Sequence, residues 1–356
     1  MPSRASQGSP RVTVAMTTYN GAAYLEETIE GILNQSFTDF EFLIVDDGSS
    51  DQTLEIIHSY GDPRIRCLVN EQNLGISLSR NRAIREARGE FFAPTDQDDI
   101  SLPRRLETQV EYLDRNPGTD LVSTTVDLLR DGRRQRDSMR ALDQPVLVHM
   151  GLFFGRHNVT YSAICVRLAF LRRHDLFFDQ AFHYAEDFDL YLRIASVGRL
   201  VTLDQPMVVY RKHGENTSIR QYKTMTANGQ RSLGRAYGEL LQRTLSDEEV
   251  ERIWRVLVER RPAASLDEMD QIGGIMTEVL AAFMTQPGLV DHERQALREL
   301  ASQVWWSVVV ASGNRHLGFA ALAQLARYSE LSHWRPTLLE RLSTELKIAA
   351  TFWRRQ

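Results

Sequence analysis

Five consecutive residues, Thr95-Asp96-Gln97-Asp98-Asp99, close a short apolar segment that runs Glu90-Phe91-Phe92-Ala93-Pro94. The segment has the pattern of a buried strand. Three carboxylates within four residues at its end repel one another in a low-dielectric crevice, and a hard divalent cation among their oxygens relieves that repulsion. In an α/β sheet this position, beyond the carboxyl ends of the strands, is also where ligands bind. The run therefore predicts a cation site that holds a phosphate-bearing ligand. Mg2+ or Mn2+ suits carboxylate oxygens, few protein ligands and substrate phosphates completing the shell. Capping of a following turn by Asp98 or Asp99 is the plainer alternative.

Other stretches carry groups of the same kind. Thr17-Thr18-Tyr19-Asn20 offers hydroxyls, amides and an aromatic face suited to a base and its ribose, and is equally a polar turn. In Asp46-Asp47-Gly48-Ser49 a carboxylate can accept a uracil or thymine imide N–H or a ribose hydroxyl, although an acidic cap before a helix explains it as well. Gly75 through Asn81 contains Arg80, with Arg82 behind it; an arginine aimed into a crevice pairs with phosphate or base, although one on such a helix is more often solvated or ion-paired. Glu186-Asp187, ahead of Leu190-Tyr191-Leu192-Arg193, places anions at a helix start, where the dipole favours them. One of them turned into a crevice is a competent general base. Tyr210-Arg211-Lys212-His213-Gly214-Glu215-Asn216-Thr217-Ser218 adds an imidazole and cations that suit a diphosphate or a metal shell.

The elements that must position these groups follow from periodicity. Arg11 to Thr17, Glu41 to Val45, Ile65 to Val69 and Glu90 to Thr95 read as strands, and the continuous apolar runs predict parallel strands covered on both faces. Between them, Ala22 to Gln35 puts Leu25, Ile29, Ile32 and Leu33 on one helical face; a helix carries Leu54, Ile57 and Tyr60, and another spans Ser77 to Arg88. Such repeated units predict a doubly wound parallel sheet. Pro103 to Asn116 and a stretch within Phe182 to Val197 are helical. Leu121 to Leu129, Val159 to Val166 and Leu200 to Tyr210 are extended, the last with Pro206 marking an edge or bend. Strand signals stop near residue 220, and helical periodicity then continues to the end, broken near Pro262, Pro287 and Gly313. The expected organisation is a disordered 1–10, an α/β domain over 11–220 with halves at about 11–100 and 101–220, and a helical 221–356.

Composition narrows the function classes. The chain has 356 residues, 42% hydrophobic and 25% charged, with a formal net charge of −5. That balance excludes a general nucleic-acid binder, which needs a basic stripe. Cys67 and Cys165 lie in apolar runs and predict two buried thiols in a reducing cytosol, with a disulfide as the less favoured alternative. No window approaches the roughly 20 apolar residues of a membrane span, and the N-terminus lacks a signal-peptide core. The expected location is the cytoplasm.

The pieces occur in an order more informative than any one of them. Thr-Tyr-Asn after the first strand, Asp-Asp-Gly-Ser after the second, Ser-Arg-Asn in the third helix, Asp-x-Asp-Asp followed by Pro, and Glu-Asp before Leu-x-Leu-Arg resemble the family 2 glycosyltransferases of the GT-A fold. The closing Tyr-Arg-x-His-x-x-Asn-x-Ser is similar to an element of many bacterial members. The resemblance spans about residues 11 to 218 and implies a GT-A, Rossmann-like, mostly parallel sheet flanked by helices, ahead of the all-α extension. By residue, it implies that Thr17, Tyr19, Asp47 and Arg80 bind the nucleoside. Asp96 faces the ribose or the metal, Asp98 ligates the metal and Asp99 supports the loop. Asp187 is the base with Glu186 beside it, and His213 reaches the metal or diphosphate.

The function this implies is metal-dependent, inverting sugar transfer from a nucleoside-diphosphate sugar to an acceptor hydroxyl, in bacterial surface polysaccharide or glycoconjugate synthesis. A UDP-sugar is the favoured donor, with dTDP- or GDP-sugars as alternatives, and the acceptor is a saccharide or a lipid-linked chain. A sugar nucleotidyltransferase is disfavoured by the lack of an early glycine-rich phosphate loop, and a non-catalytic nucleotide-sugar-binding scaffold by the intact Glu186-Asp187 pair. Acceptor choice is expected to reside around Asp143 to His157 and in the tail. There Leu338, Leu339, Leu342, Leu346 and Ile348, followed by Phe352-Trp353-Arg354-Arg355, suit an amphipathic helix. Its fates are packing on the catalytic domain or in a homodimer, or peripheral contact with the inner face of the plasma membrane.

Overall fold

The structure, a computed structural model, describes residues 9–137, 141–156, 159–334, 336–337, 343 and 347. The chain divides into two compact units, Met1–Pro145 with Asn158–Gly229, and Val146–His157 with Gln230–Gln356. The helical unit thus takes in a segment that sequence alone places in the 101–220 half, and the division falls after Gly229 where periodicity puts it near 220. His157 and the tail residues Leu338, Leu339, Leu342, Leu346, Ile348 and Phe352 to Arg355 lie outside the described residues, as do residues 1–8 of the expected disordered N-terminus.

The first unit begins as the patterning predicts. Strands β1 (Val12–Thr18), β2 (Phe40–Asp46), β3 (Ile65–Val69) and β4 (Phe91–Thr95) are parallel and ordered β3-β2-β1-β4. Helices α1 (Leu25–Leu33), α2 (Thr53–Ser59) and α3 (Ile76–Glu86) connect them. Leu25, Ile29 and Ile32 of α1 are wholly buried in one cluster with Val12, Val14 and Met16 of β1 and Phe42 and Ile44 of β2. Each such side chain contributes about 1.5–3 kcal/mol through removal from water. Register places Thr18 beside Asp46, and Asp46 beside Val69, so the carboxyl ends of β1, β2 and β3 form one rim.

The rest of the sheet is mixed. Among the described residues it has nine strands, continuing from β4 through β8 (Ile164–Arg167), β6 (Leu121–Arg130), β9 (Leu200–Lys212) and β5 (Ile100–Ser101), with β7 (Arg133–Arg136) paired to β6. β8 is antiparallel to both β4 and β6, whereas β9 is parallel to β6. Pro206 lies opposite Thr125 of β6, where the β6–β9 register shifts, and short of Val208 and Val209, the residues that pair with β5, so it falls at a bend with a strand on one side. A bulge is where a strand can lack one N–H donor. The helices here are α4 (Arg105–Arg115), α6 (Leu168–Arg173), α7 (Glu186–Val197) and the short α8 (Thr217–Arg220), while α5 (Pro145–Phe153) falls almost wholly to the second unit.

In the second unit α9 (Tyr222–Leu241) crosses the division and is followed by α10 (Asp247–Ile253), α11 (Leu266–Met284), α12 (Asp291–Ser312) and α13 (Phe319–Arg327). Helix breaks fall beside Pro262 and Pro287, whereas Gly313 stays helical and the chain turns instead at Gly318, with φ +57. α5 belongs here because its apolar residues join an aromatic cluster: Phe153 meets Tyr237 edge-on at 5.0 Å, and His149 meets Phe283 at 4.9 Å. Burial pushes the His149 imidazole down to about 4, so it packs as a neutral ring. No helix among the described residues is long and apolar enough to cross a membrane.

Candidate active site

The rim of β1 is tied to the opening acidic run through Gln97. Its Oε1 accepts from the Thr18 hydroxyl at 2.6 Å and from the Tyr19 amide at 3.0 Å. Thr17 is half-buried and the Tyr19 ring is 46% exposed, so an aromatic face is offered beside the acids. Asn20, at φ +48, lets the chain turn and accepts from the Ser50 amide at 2.8 Å, joining the β1 and β2 ends.

Asp46, the last residue of β2, and Asp47 after it are both buried. Asp46 Oδ2 accepts from the Gly48 and Ser49 amides. Asp47 Oδ1 accepts from Asn70 Nδ2 at 2.6 Å and the Leu74 amide at 2.9 Å, and its Oδ2 from the Gly75 amide at 2.9 Å. The carboxylate read as a nucleobase contact therefore first holds the loop leading into α3. One acceptor position of Oδ2 is left over. Gly48, at φ +76, admits no side chain: a Cβ there would lie 2.9 Å from the Gln72 backbone.

Arg80 is the hub of the crevice. It is buried, and its guanidinium donates to Asp96 Oδ1 at 2.9 Å and to Glu186 Oε1 at 2.8 Å. The Tyr161 ring lies under it at 3.5 Å. Asn81, one residue on, exchanges two 2.8 Å bonds with the Phe178 backbone, which fixes α3 against the chain leading into α7. Asp96 is held from the other side by Ser162, whose hydroxyl accepts from the Asp96 amide at 3.0 Å. Glu186 is 3% exposed, and burial outweighs the attraction of Arg80, lifting its carboxyl from 4.5 to about 7. Asp187, half-buried beside it, accepts from the Phe188 amide at 2.7 Å and is also raised, chiefly by burial. Tyr184, at φ +66, turns the chain into α7 in a conformation that costs a bulky residue about 1–3 kcal/mol.

Asp98 and His213 meet directly. His213 Nε2 lies 2.8 Å from Asp98 Oδ2, Asn216 Nδ2 donates to the same oxygen at 3.2 Å, and Tyr24 stacks on the imidazole at 4.6 Å. Asp99 is wholly buried; its Oδ1 accepts from the Arg211 amide at 3.1 Å, while Oδ2 has no hydrogen-bond partner within 3.5 Å among the described residues. Burial and the neighbouring acids raise both Asp98 and Asp99, most strongly Asp99. The run thus concentrates negative charge that the protein compensates only in part.

The sequence profile of Glycosyl transferase family 2 matches residues 13–175. An uncharacterised glycosyltransferase of Methanocaldococcus jannaschii is 33% identical over 226 residues, which cover 60% of this chain and 75% of that protein. The chain belongs to glycosyltransferase family 2. Its fold is GT-A. The structure of S. aureus TarS 1–349 in complex with UDP-GlcNAc is similar with a TM-score of 0.57 at 20% identity, covering 86% of this chain and 92% of that one. The mannosyltransferase PcManGT of Pyrobaculum calidifontis, in complex with GDP-Man and Mn2+, is similar with a TM-score of 0.50 at 18% identity, covering 98% of this chain and 89% of that one.

In this family 2 glycosyltransferase the predicted residues fall into three groups. Arg80, Asp96 and Glu186 form one bonded cluster with Asp187 at its side, Asp98 and His213 form a second, and Thr17 and Tyr19 stand on the β1 rim. Asp47 is set apart in the loop it braces. Residue patterns alone assigned no role to Gln97, Tyr161, Ser162 or Asn216. Gln97 lay within the acidic run and Asn216 within the closing polar loop, so both were visible; nothing local marks Tyr161-Ser162.

Proposed function

We propose that this glycosyltransferase moves a sugar from a nucleoside-diphosphate sugar, with UDP as the favoured carrier, to an acceptor hydroxyl with inversion at the anomeric carbon. The observation that carries the reading is the Arg80 bridge, because it brings the strand-end acid Asp96 to the start of α7, where Asp187 stands. Thr17 and Tyr19 would receive the nucleoside, with Asp47 shaping that pocket and keeping one acceptor position for a base N–H. Asp187 would take the proton of the acceptor hydroxyl as it attacks opposite the departing diphosphate. Glu186, paired with Arg80, serves the acceptor side by holding α7. Alignment of donor and acceptor supplies much of the acceleration.

The residues present fit a divalent cation. Both side-chain donors to Asp98 fall on Oδ2, which leaves Oδ1 for a metal. Among the described residues no three His, Cys, Asp or Glu side chains converge on one point, so a cation would be held by Asp98, diphosphate oxygens and water. His213 would then serve the cation by orienting Asp98. Mn2+ or Mg2+, when bound, neutralises charge on the departing diphosphate. Bacterial surface polysaccharide or glycoconjugate synthesis is the expected setting.

Turnover of UDP-sugars with Mn2+ tests the reading. Asp187→Asn is expected to lower kcat by about 100- to 10,000-fold with donor binding retained. Equal turnover by the two proteins would sink the base assignment, and a product of retained anomeric configuration, read by NMR, would sink inversion.

A further inference from the structure

The β6–β7 hairpin carries charge that folding does not explain. Its two-residue turn, Asp131-Gly132, has φ of +50° and +71°, the left-handed pair that sets a tight hairpin and its register. That register places Arg130 opposite Arg133, and the β6–β9 ladder places Lys212 beside Arg130. Three cations thus stand in one row across adjacent strands, roughly 10 Å from first to last at the usual strand spacing. Like charges in directly opposed pairs destabilise a sheet. The neighbouring arginines are neutralised, Arg134 by Asp127 at 2.6 Å and Arg136 by Asp204 at 2.5 Å. Among the described residues, Arg130, Arg133 and Lys212 have no acidic partner, and Asp131 bonds to none of them.

The row shares its sheet face with a small apolar cluster that adjoins the candidate active site through Ala163 and Ser162. Cross-strand partners share a face, so Arg130 follows Leu128 and Val126, and Lys212 follows Tyr210 and Val208. Those four apolar and aromatic residues pack together around Ala163, next to the Ser162 that bonds Asp96. Tyr210, half-buried, belongs to that cluster. Lys212 is two residues further along the same strand, immediately before His213. The cations therefore continue outward from the Ala163 cluster, in a protein whose net charge is −5.

We infer that the Arg133–Arg130–Lys212 row is the outer acceptor subsite and that it binds an acceptor glycan bearing anionic groups along its chain. The inference rests on the sugar-transfer reading above. The row matches a repeating anion because its charges are spaced by the sheet and left unpaired, whereas a neutral glycan would gain nothing from three crowded cations.

Binding of an oligogalacturonate, with one carboxylate per sugar, is compared with binding of its neutral methyl ester by calorimetry on the whole protein at low salt. The acid form is expected to bind more tightly, with the difference fading at high salt. Arg130→Gln with Arg133→Gln is expected to weaken acid-form binding by roughly 3- to 10-fold, since exposed charge contacts are each worth a fraction of a kcal/mol. Arg136→Gln, already paired, should stay within about twofold of wild type. Equal affinity for the two oligosaccharides, or no loss in the double variant, overturns the inference. So does the same arginine dependence seen only with phosphatidylglycerol vesicles, which would make the row a membrane contact. UDP-sugar binding on the same sample separates the failures: its presence without anion selectivity removes only the subsite, and its absence removes the transfer reading.

Discussion

At the scale of single residues, Arg80 decides the most. It holds Asp96 and Glu186 at once, and its side chain and that of Glu186 are 5% and 4% exposed. Removing one partner leaves a buried charge uncompensated, so Arg80→Met is expected to cost about 3–5 kcal/mol in urea unfolding. The protonation of Glu186 gives a second test. Its folded-state pKa of about 7 lies above the ordinary 4.5, so the folded protein binds more protons in that window. The contribution is complete below pH 4.5 and is lost as pH rises through about 7. Stability of Glu186→Gln, measured by urea unfolding at pH 5 and pH 8, should fall less over that interval than that of wild type.

At the scale of elements, the rim is assembled by turns as much as by strands. Gly48 and Gly132 both adopt positive φ, and a side chain in that region costs about 1–2 kcal/mol. The surroundings separate them, since a Cβ at Gly48 would meet the Gln72 backbone whereas one at Gly132 would meet nothing within 4 Å. Gly48→Ala is therefore expected to lower the melting temperature more than Gly132→Ala. It should also raise KM for the nucleotide sugar, because Asp47 and the loop it braces would shift with the turn. A KM equal to that of wild type in a folded Gly48→Ala protein would disconnect this loop from the nucleoside pocket.

At the scale of the whole molecule, ligand and cation are linked to stability by mass action. UDP with Mn2+ at about 100 times Kd should stabilise the protein by about 2.7 kcal/mol, read as a rise in melting temperature. Asp98→Asn should keep part of the UDP effect and lose the increment due to Mn2+. An unchanged Mn2+ increment would move the cation away from Asp98. The two units set the scope of this experiment, since every residue in the candidate site belongs to the first.

The α/β character of the first unit, the helical character of the second and the three strand-end clusters could all be read before any fold was known. Each is a local signal: alternating or 3.6-residue apolar patterns, helix-ending glycines and prolines, and motifs in a set order. Leu25, Ile29 and Ile32 became core as their spacing required, and the breaks at Pro262 and Pro287 separate helices, whereas the break expected at Gly313 falls at Gly318. Other features were not local. Glu186 is bonded to an arginine 106 positions earlier in the chain, and His213 to an aspartate 115 positions earlier. The transfer of Val146–His157 to the helical unit follows from an aromatic cluster drawn from three separate helices. The cation row at the Asp131-Gly132 hairpin was not read from the sequence, because it needs the β6–β7 and β6–β9 registers together. Periodicity determines which face a residue occupies, because it depends only on backbone geometry. Which partner that residue meets, and whether its charge is compensated, depends on strand order and burial, and those exist only once the chain has folded.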